Sequence, residues 1–544
     1  NNTGTLTKSS AGADTISIEN FNNSGTVNVT AGSLTLSNGG TDTGTYAVGT
    51  GTTLALTGGT RTLNATANIT GAGTLNFSGA AVTVNATTLS ITGTGNLSVT
   101  AGTVTLNTVQ TLANAFSMSG GTLNGGGNLT LGGATTFSGG ALDGAGTLTT
   151  TGATGITGNL FLNKTWTNSA SGVVTASGTG DVRYNGSGVI NNAGNWNITG
   201  TSVTPLTRQT GGTNTFNNTG TLTKSSAGAD TISIENFNNS GMVNVTSGSL
   251  TLSNGGTDTG TYAIGTGSTV SLSGGVRTLA GAANVAGAGT LNLGGATVTV
   301  TATALSVASD LTMSAGFLNG IGNVILNGTT TFSGSASSLD GTGTLTTNGA
   351  TSVTGDLYFN KTWTNSATGV VTVSGAGNVR FTSGVVNNAG NWNLTGTSGT
   401  PLAIQTGGAN TFNNTGTLTK SSAGVNTINI ENFHNSGTVN VSSGSLSVTS
   451  TSFTQGGSIR VDAGATFVRP GGFTNALGGT ISGAGTINVG AGNTLTNAGT
   501  IRPDGGGADA TGTLTVTGNF AQTGTGILDL QAEGTAAGSF DRLA

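Results

Sequence analysis

Apolar residues in this chain alternate with polar ones in short runs, as in Thr26-Val27-Asn28-Val29 and Ser33-Leu34-Thr35-Leu36. That is the period of a β-strand with one buried face, and no apolar stripe at helical spacing is apparent. Between the runs sit Gly pairs and Asn-Gly or Ser-Gly steps, residues that accept positive φ and turn the chain through a tight corner. The pattern therefore predicts short strands joined by sharp corners.

These units recur at a short pitch. The segment GTLNGGGNLTLGGATTFSG, Gly121 to Gly139, is followed by GALDGAGTLTTTGATGITG, Gly140 to Gly158, and about half the positions are identical. Leu123 falls on Leu142, Leu129 on Leu148 and Phe137 on Ile156, so three apolar anchors return together and each turn reads as three-sided. The same interval links Val27 with Tyr46 and Val29 with Val48, whereas Phe216 and Phe237, like Phe412 and Phe433, stand slightly further apart. A pitch of about 19 to 22 residues with three short strands per turn is implied. Corners are expected to accept insertions: GGA separates Ser138 from Leu142, and GSASS separates Ser333 from Leu339.

A longer repeat lies over the short one. NNTGTLTKSSAGADTISIENFNNSGTVNV, Asn1 to Val29, returns almost letter for letter from Asn217 and again, slightly altered, from Asn413. Leu89 aligns with Leu305, but Met118 aligns with Met313, so the second copy has lost about one short turn without losing its pattern. A fold that drops a whole turn and closes again is a solenoid. The expected organisation is a first module over 1–216, a second over 217–412, a partial third over 413–450, and diverged turns over 451–544.

One turn cannot fold alone. About six buried apolar side chains at roughly 1.5–3 kcal/mol each do not offset the ordering of about twenty residues at 1–2 kcal/mol apiece. Stacked turns satisfy each other's backbone groups through parallel ladders and line up their Leu, Val, Ile and Phe in columns. About twenty-seven turns at roughly 4.8 Å would make a stalk on the order of 130 Å long. The six-residue units of a left-handed hexapeptide helix are absent, and a propeller would need blades of about forty residues. The expected fold is all-β, a parallel β-helix or β-solenoid.

Composition narrows the function. Of 544 residues, 99 are Gly and none is Cys, and only 6% are charged, which fits neither an ordinary enzyme domain nor a charged disordered tail. The net charge is -4 with Lys and Arg scattered singly, so no basic stripe exists for nucleic acid. No apolar run is long enough for a transmembrane helix. The chain opens at Asn1 inside a motif that Phe216 and Phe412 precede in the later copies, which reads as a piece of a longer protein. Without Cys there are neither disulfides nor thiolate metal sites, as in a reducing compartment or on a bacterial surface.

One phrase recurs at turn starts: FNNTGTLT from Phe216, FNNSGMVNV from Phe237, INNAGNWNI from Ile190, FTNALGGTI from Phe473 and LTNAGTIR from Leu495. Its apolar residue should enter the core and its Asn and Gly make the corner, with stacked Asn side chains able to form ladders. This wording resembles the repeats of filamentous haemagglutinin-like adhesins and autotransporter passenger domains. The closing segment, Gly499 to Ala544, resembles a stretch found late in autotransporter-type passengers. The resemblance implies a right-handed β-helical stalk exported across a bacterial outer membrane, although export signal, secretion domain and β-barrel are all missing from this sequence.

Candidate chemistry is sparse. Trp166 and Trp363 in KTWTNSA, with Trp196 and Trp392 in GNWN, would form a glycan-contact platform if exposed on one flank and core fillers if turned inward, the preferred reading. Tyr184 matches Phe381 and Phe161 matches Tyr358, so no hydroxyl chemistry is expected there. The single His434 stands where Asn22 and Asn238 stand and reads as a corner substitution. Lys8, Lys224 and Lys420 recur with Glu19, Glu235 and Glu431, either as salt bridges along the wall or as solvated charge. Asp143 and Asp340 read as turn residues. No pair of acids for sugar hydrolysis, no calcium cluster with a basic partner, and no phosphate or dinucleotide loop is found.

Function is therefore expected to be mechanical: a non-enzymatic stalk of a bacterial surface or secreted adhesin, filament or matrix protein, without cofactor, metal or catalytic residues. Expected partners are further copies, end to end or laterally, and surface glycans. Unpaired ladder groups on end turns would drive polymerisation, and equilibrium sedimentation showing only monomer at high concentration would count against it. A carbohydrate- or ice-binding face is the alternative, motivated by steps such as Thr103 to Thr105 and Thr149 to Thr151. A β-helix polysaccharide lyase or hydrolase ranks last.

Overall fold

The computed structural model describes residues 1–86, 89–91, 95–335, 337–504, 511–536 and 538–544, and all side chains among them except those of Ser90 and Ile91. Strands make up 57% of the chain and the described residues contain no helix, so backbone groups are satisfied almost entirely by ladders. The strands are stacked parallel coils, a β-solenoid of about 24 turns. The chain divides into two compact units, Asn1–Ser271 and Leu272–Ala544.

In the first unit each coil supplies three short strands, and each strand lies beside its equivalent in the next coil. Thr122–Asn124, Leu129–Leu131 and Thr135–Phe137 form one such coil. The anchors pair as the short repeat predicts: Leu123 with Leu142, Leu129 with Leu148, and Phe137 with Ile156. Val27 pairs with Tyr46 and Val29 with Val48. Strand after strand shows alternating burial, for example Thr26–Val29 and Ser33–Leu36, so alternate side chains point into one core that runs along the stack.

The second unit repeats this architecture. Val370–Val373, Asn391–Leu394, Thr417–Lys420 and Thr438–Val441 lie side by side in one wall, and Val371, Trp392, Leu418 and Val439 form a buried column inside it. Phe412 pairs with Phe433, and Phe433 with Phe453.

The missing turn is visible in the register. In the first unit the inward column runs Phe77, Val99, Met118, Phe137. In the second it runs Leu293, Met313, Phe332. The coil carrying Val99 has no counterpart, and the residues on either side have closed over the gap in register. Coil length varies more than the repeat suggested. Trp166 follows Leu148 after 18 residues, whereas Phe216 follows Ile190 after 26. Longer corners explain why about 24 turns, not twenty-seven, account for the chain.

Candidate functional site

The recurring Asn residues do not make corners. In Thr215–Asn218 the alternation that turns Phe216 inward also turns Asn218 inward, two residues on. Asn168, Asn192, Asn218 and Asn239 form a fully buried ladder in which each Nδ2 donates to the next Oδ1 at 2.8 Å. In the second unit Asn365, Asn388, Asn414, Asn435 and Gln455 do the same at 2.7–2.8 Å. The second amide proton goes to backbone, as from Asn218 Nδ2 to Met242 O at 2.9 Å. In the INN and FNN phrases the preceding Asn faces out and forms a second, half-buried column: Asn191, Asn217 and Asn238.

The tryptophans line the core. Trp166, Trp196, Trp363 and Trp392 are all 0% exposed, so none presents a ring face to a sugar and the platform reading gives way to the inward one. Phe137, Trp166, Trp196, Phe216 and Phe237 form a chain of ring contacts at 5.2–5.6 Å in the first unit. Phe332, Trp363, Trp392, Phe412 and Phe433 form its counterpart in the second. The indole N–H of Trp166 is satisfied by Thr150 Oγ1, and that of Trp363 by Thr347 Oγ1, each at 3.0 Å.

Lys8, Lys224 and Lys420 correct both sequence readings. Strand alternation turns them inward, and their side chains are buried rather than solvated. Lys224 Nζ donates to Ser226 O, to Gly228 O at 2.6 Å and to Ser247 O at 2.9 Å. Its acidic neighbour is Asp230, at 3.7 Å, not Glu235. Gly248 closes this cage at φ +66, where a Cβ would lie 2.2 Å from Gly228 O, so the corner requires glycine. Burial pulls the Lys224 ammonium below the ordinary lysine range, opposed by Asp230. At Lys420 the acid is replaced by Asn426, and burial lowers the pKa unopposed by a carboxylate. Glu235 instead bonds Arg208, on the outside.

A second buried ionic group was not foreseen. In Thr60–Leu63 the phase of Leu63 places Arg61 inward as well. Arg61 Nη1 lies 2.7 Å from Asp42 Oδ2 with both side chains essentially inaccessible. Tyr46 Oη donates to Asp42 Oδ1 at 2.8 Å, and Arg61 Nη2 donates to the carbonyls of Asn38 and Gly39 at 3.2 Å. With its carboxylate fully partnered and its guanidinium bonded into the coil wall, the group pins coils together and offers no free acid or base for chemistry.

His434 lies within the strand Asn432–Asn435, not at a corner. It occupies the outer amide column between Asn413 and Thr454, and its Nδ1 is 2.9 Å from Thr454 Oγ1. Asp143 is a turn residue, whereas Asp340 lies within the strand Ser337–Thr347; each accepts from the following glycine N–H, at 2.7 and 2.6 Å. Thr149 stands in an outward column with Thr111, Thr130 and Thr167, which continues as Asn191 and Asn217. Among the described residues no group of three or more His, Asp or Glu is placed to hold a metal ion, and no helix is long and apolar enough to cross a membrane.

Two surface grooves lie on the outer amide wall. One, of about 540 Å³, is lined by Asn191, Asn217, Asn238 and the hydroxyl residues beside them. The other, of about 430 Å³, is lined by His434, Ser436, Phe453 and Thr454 among others. Comparison of the chain with protein-family models, curated proteins and solved structures finds no match to any of them.

Proposed function

We propose that this chain is part of a non-enzymatic structural stalk, a spacer within a bacterial cell-surface or secreted adhesin, filament or matrix protein. The observation that carries this reading is the excised coil. A whole turn is absent between Leu293 and Met313, yet the columns on either side meet in register. A spacer tolerates a change of one coil in its length. A catalytic constellation spread over neighbouring coils does not, because reacting groups must be held within a fraction of an ångström. Further support comes from the interior, where the buried lysines and the Arg61–Asp42 group are committed to holding corners and coils. The resemblance of the repeat wording to filamentous haemagglutinin-like and autotransporter passengers favours the cell surface over the cytoplasm. Association with further copies belongs to the same proposal.

The test removes residues 92–112, which converts the first copy to the spacing of the second. The shortened chain is expected to keep its far-UV circular dichroism per residue and its resistance to protease, and a deletion of only half that length to lose both. Neither chain is expected to release reducing ends or unsaturated products from neutral or acidic polysaccharides. Depolymerising activity in the full chain that disappears with the coil would overturn the proposal.

A further inference from the structure

The two grooves on the outer wall occupy equivalent points of the long repeat: His434 stands where Asn238 stands, and Ser436 where Ser240 stands. A concavity that recurs in separate units is a property of the repeat. In the first unit its floor is the outer amide column. Asn217 Nδ2 donates to Asn191 Oδ1 at 2.9 Å, and Asn238 Nδ2 to Asn217 Oδ1 at 3.0 Å. Such a bond spends one of two amide protons and one of two acceptor lone pairs. The half-buried Asn217 thus keeps a donor and an acceptor for whatever fills the groove. Along the rim, the exposed hydroxyls of Thr219 and Ser240 donate to Asn192 O and Asn218 O at 3.2 and 3.3 Å, leaving their oxygens as acceptors.

The second unit's groove includes one ionisable side chain, His434, and the first unit's contains none. A phosphate, a nucleic acid or a uronic-acid polymer would find no counter-charge there, and burying its charge would be unfavourable. A neutral ligand rich in hydroxyl or acetamide groups meets no such cost. Equivalent donors and acceptors repeat at the strand-to-strand spacing of about 4.8 Å, close to the length of one pyranose ring in an extended chain. In the second unit Phe453 also lines the groove, but its ring is packed by Phe433, stacked at 5.7 Å, and Phe473, edge-on at 5.4 Å, with Arg469 over it at 5.6 Å. The outward groups there are therefore the polar side chains of His434 and Thr454.

The geometry points to a binding groove for a neutral, extended, β-linked glycan, laid across successive coils with one ring per coil. This assignment deepens the surface-stalk reading and moves glycan contact from the tryptophans, which are buried, to the amide wall. Thr occupies equivalent outward columns at Thr167 in the first unit and Thr454 in the second, so Asn→Thr changes are compatible with the fold.

The test is isothermal titration of the full chain with chitohexaose and cellohexaose, their trisaccharides, and a hexamer of galacturonic acid. At least one neutral hexasaccharide is expected to bind, more tightly than its trisaccharide and than the acidic hexamer. The combined variant Asn217→Thr, Asn238→Thr and His434→Thr should weaken binding by roughly tenfold or more. Asn244→Thr, on a different wall, should leave it unchanged, with circular dichroism confirming that both variants fold. Absence of binding by both neutral hexasaccharides at about 1 mM, preference for the acidic hexamer, or equal loss in Asn244→Thr would overturn the assignment. The coil-deletion result does not depend on this outcome, so the two readings fail separately.

Discussion

Asn218→Ala removes one rung from the buried ladder, and the cost follows from the groups it strands. In the native coil Asn218 Oδ1 accepts from Asn192 Nδ2 at 2.8 Å, and its own Nδ2 donates to Asn239 Oδ1 at 2.8 Å and to Met242 O at 2.9 Å. Asn192 and Asn239 are both 0% exposed, so water does not replace the lost partner. Two stranded buried amide groups at about 1–3 kcal/mol each give a local cost of about 2–4 kcal/mol, allowing for partial relaxation. Asn217→Ala, one residue away on the outer face, removes bonds of similar length from half-buried partners and should cost under about 1 kcal/mol. Because coils in a repeat fold open semi-independently, hydrogen exchange read by mass spectrometry is the suitable assay. Protection across peptides from Asn192 to Val245 should fall by about thirtyfold to several hundredfold in Asn218→Ala, and by less than about fivefold in Asn217→Ala. Equal losses in the two variants would refute the claim that the inward amide column is a main source of coil-to-coil cohesion.

The other perturbations concern charge and phenol groups in the core. Asp42→Asn leaves Arg61 buried opposite a neutral amide and should destabilise the first unit by about 3–5 kcal/mol, whereas Arg208→Met, which breaks a partly exposed pair with Glu235, should cost under about 1 kcal/mol by the same exchange measurement. Tyr184→Phe should raise stability at neutral pH by about 1 kcal/mol, because its buried hydroxyl has no hydrogen-bond partner and the equivalent Phe381 already fills that place. Burial holds the Tyr184 phenol well above its ordinary value. The folded form therefore keeps a proton that the unfolded form releases above about pH 10, and stability falls as pH rises past that point. Urea titration at pH 8 and 11 should show a smaller alkaline loss in Tyr184→Phe than in the native chain; equal losses would remove Tyr184 from the account.

Most of the fold was legible because one rule, apolar residues at alternate positions, fixes both the strand and its buried face. It placed Leu123 over Leu142 and Phe216 over Phe237, and the lost turn between Leu293 and Met313 followed from comparing two copies. What was misread has one cause. In FNN, TLTK and TRTL the polar residues Asn218, Lys224 and Arg61 share the phase of Phe216, Leu222 and Leu63, and period two alone points them inward. The polarity of Asn218 and Lys224 suggested corners or solvent instead, and Arg61 was not singled out. The signal was present, but what makes burial tolerable lies in the next coil or across a corner: the amide of Asn239, the carbonyl of Ser247, the carboxylate of Asp42. Pairing across coils is invisible until register is known. His434 was misread for the same reason, since its column, not its neighbours in sequence, defines its place. Variable corners also hid the true coil count.

The claim on which everything rests is that residues one repeat apart are nearest neighbours in adjacent coils. The chain contains no cysteine, so Thr130→Cys combined with Thr149→Cys introduces a single pair at outward positions that face each other across one ladder. Neighbouring strands about 4.8 Å apart bring their Cα atoms within disulfide range. Thr130→Cys with Thr167→Cys places the two thiols two coils apart, about 9.6 Å and out of range. Under mild oxidation, thiol titration and intact mass should show an intramolecular disulfide in the first variant and free thiols in the second. A bridge in the second variant with none in the first would contradict the stacked-coil fold itself.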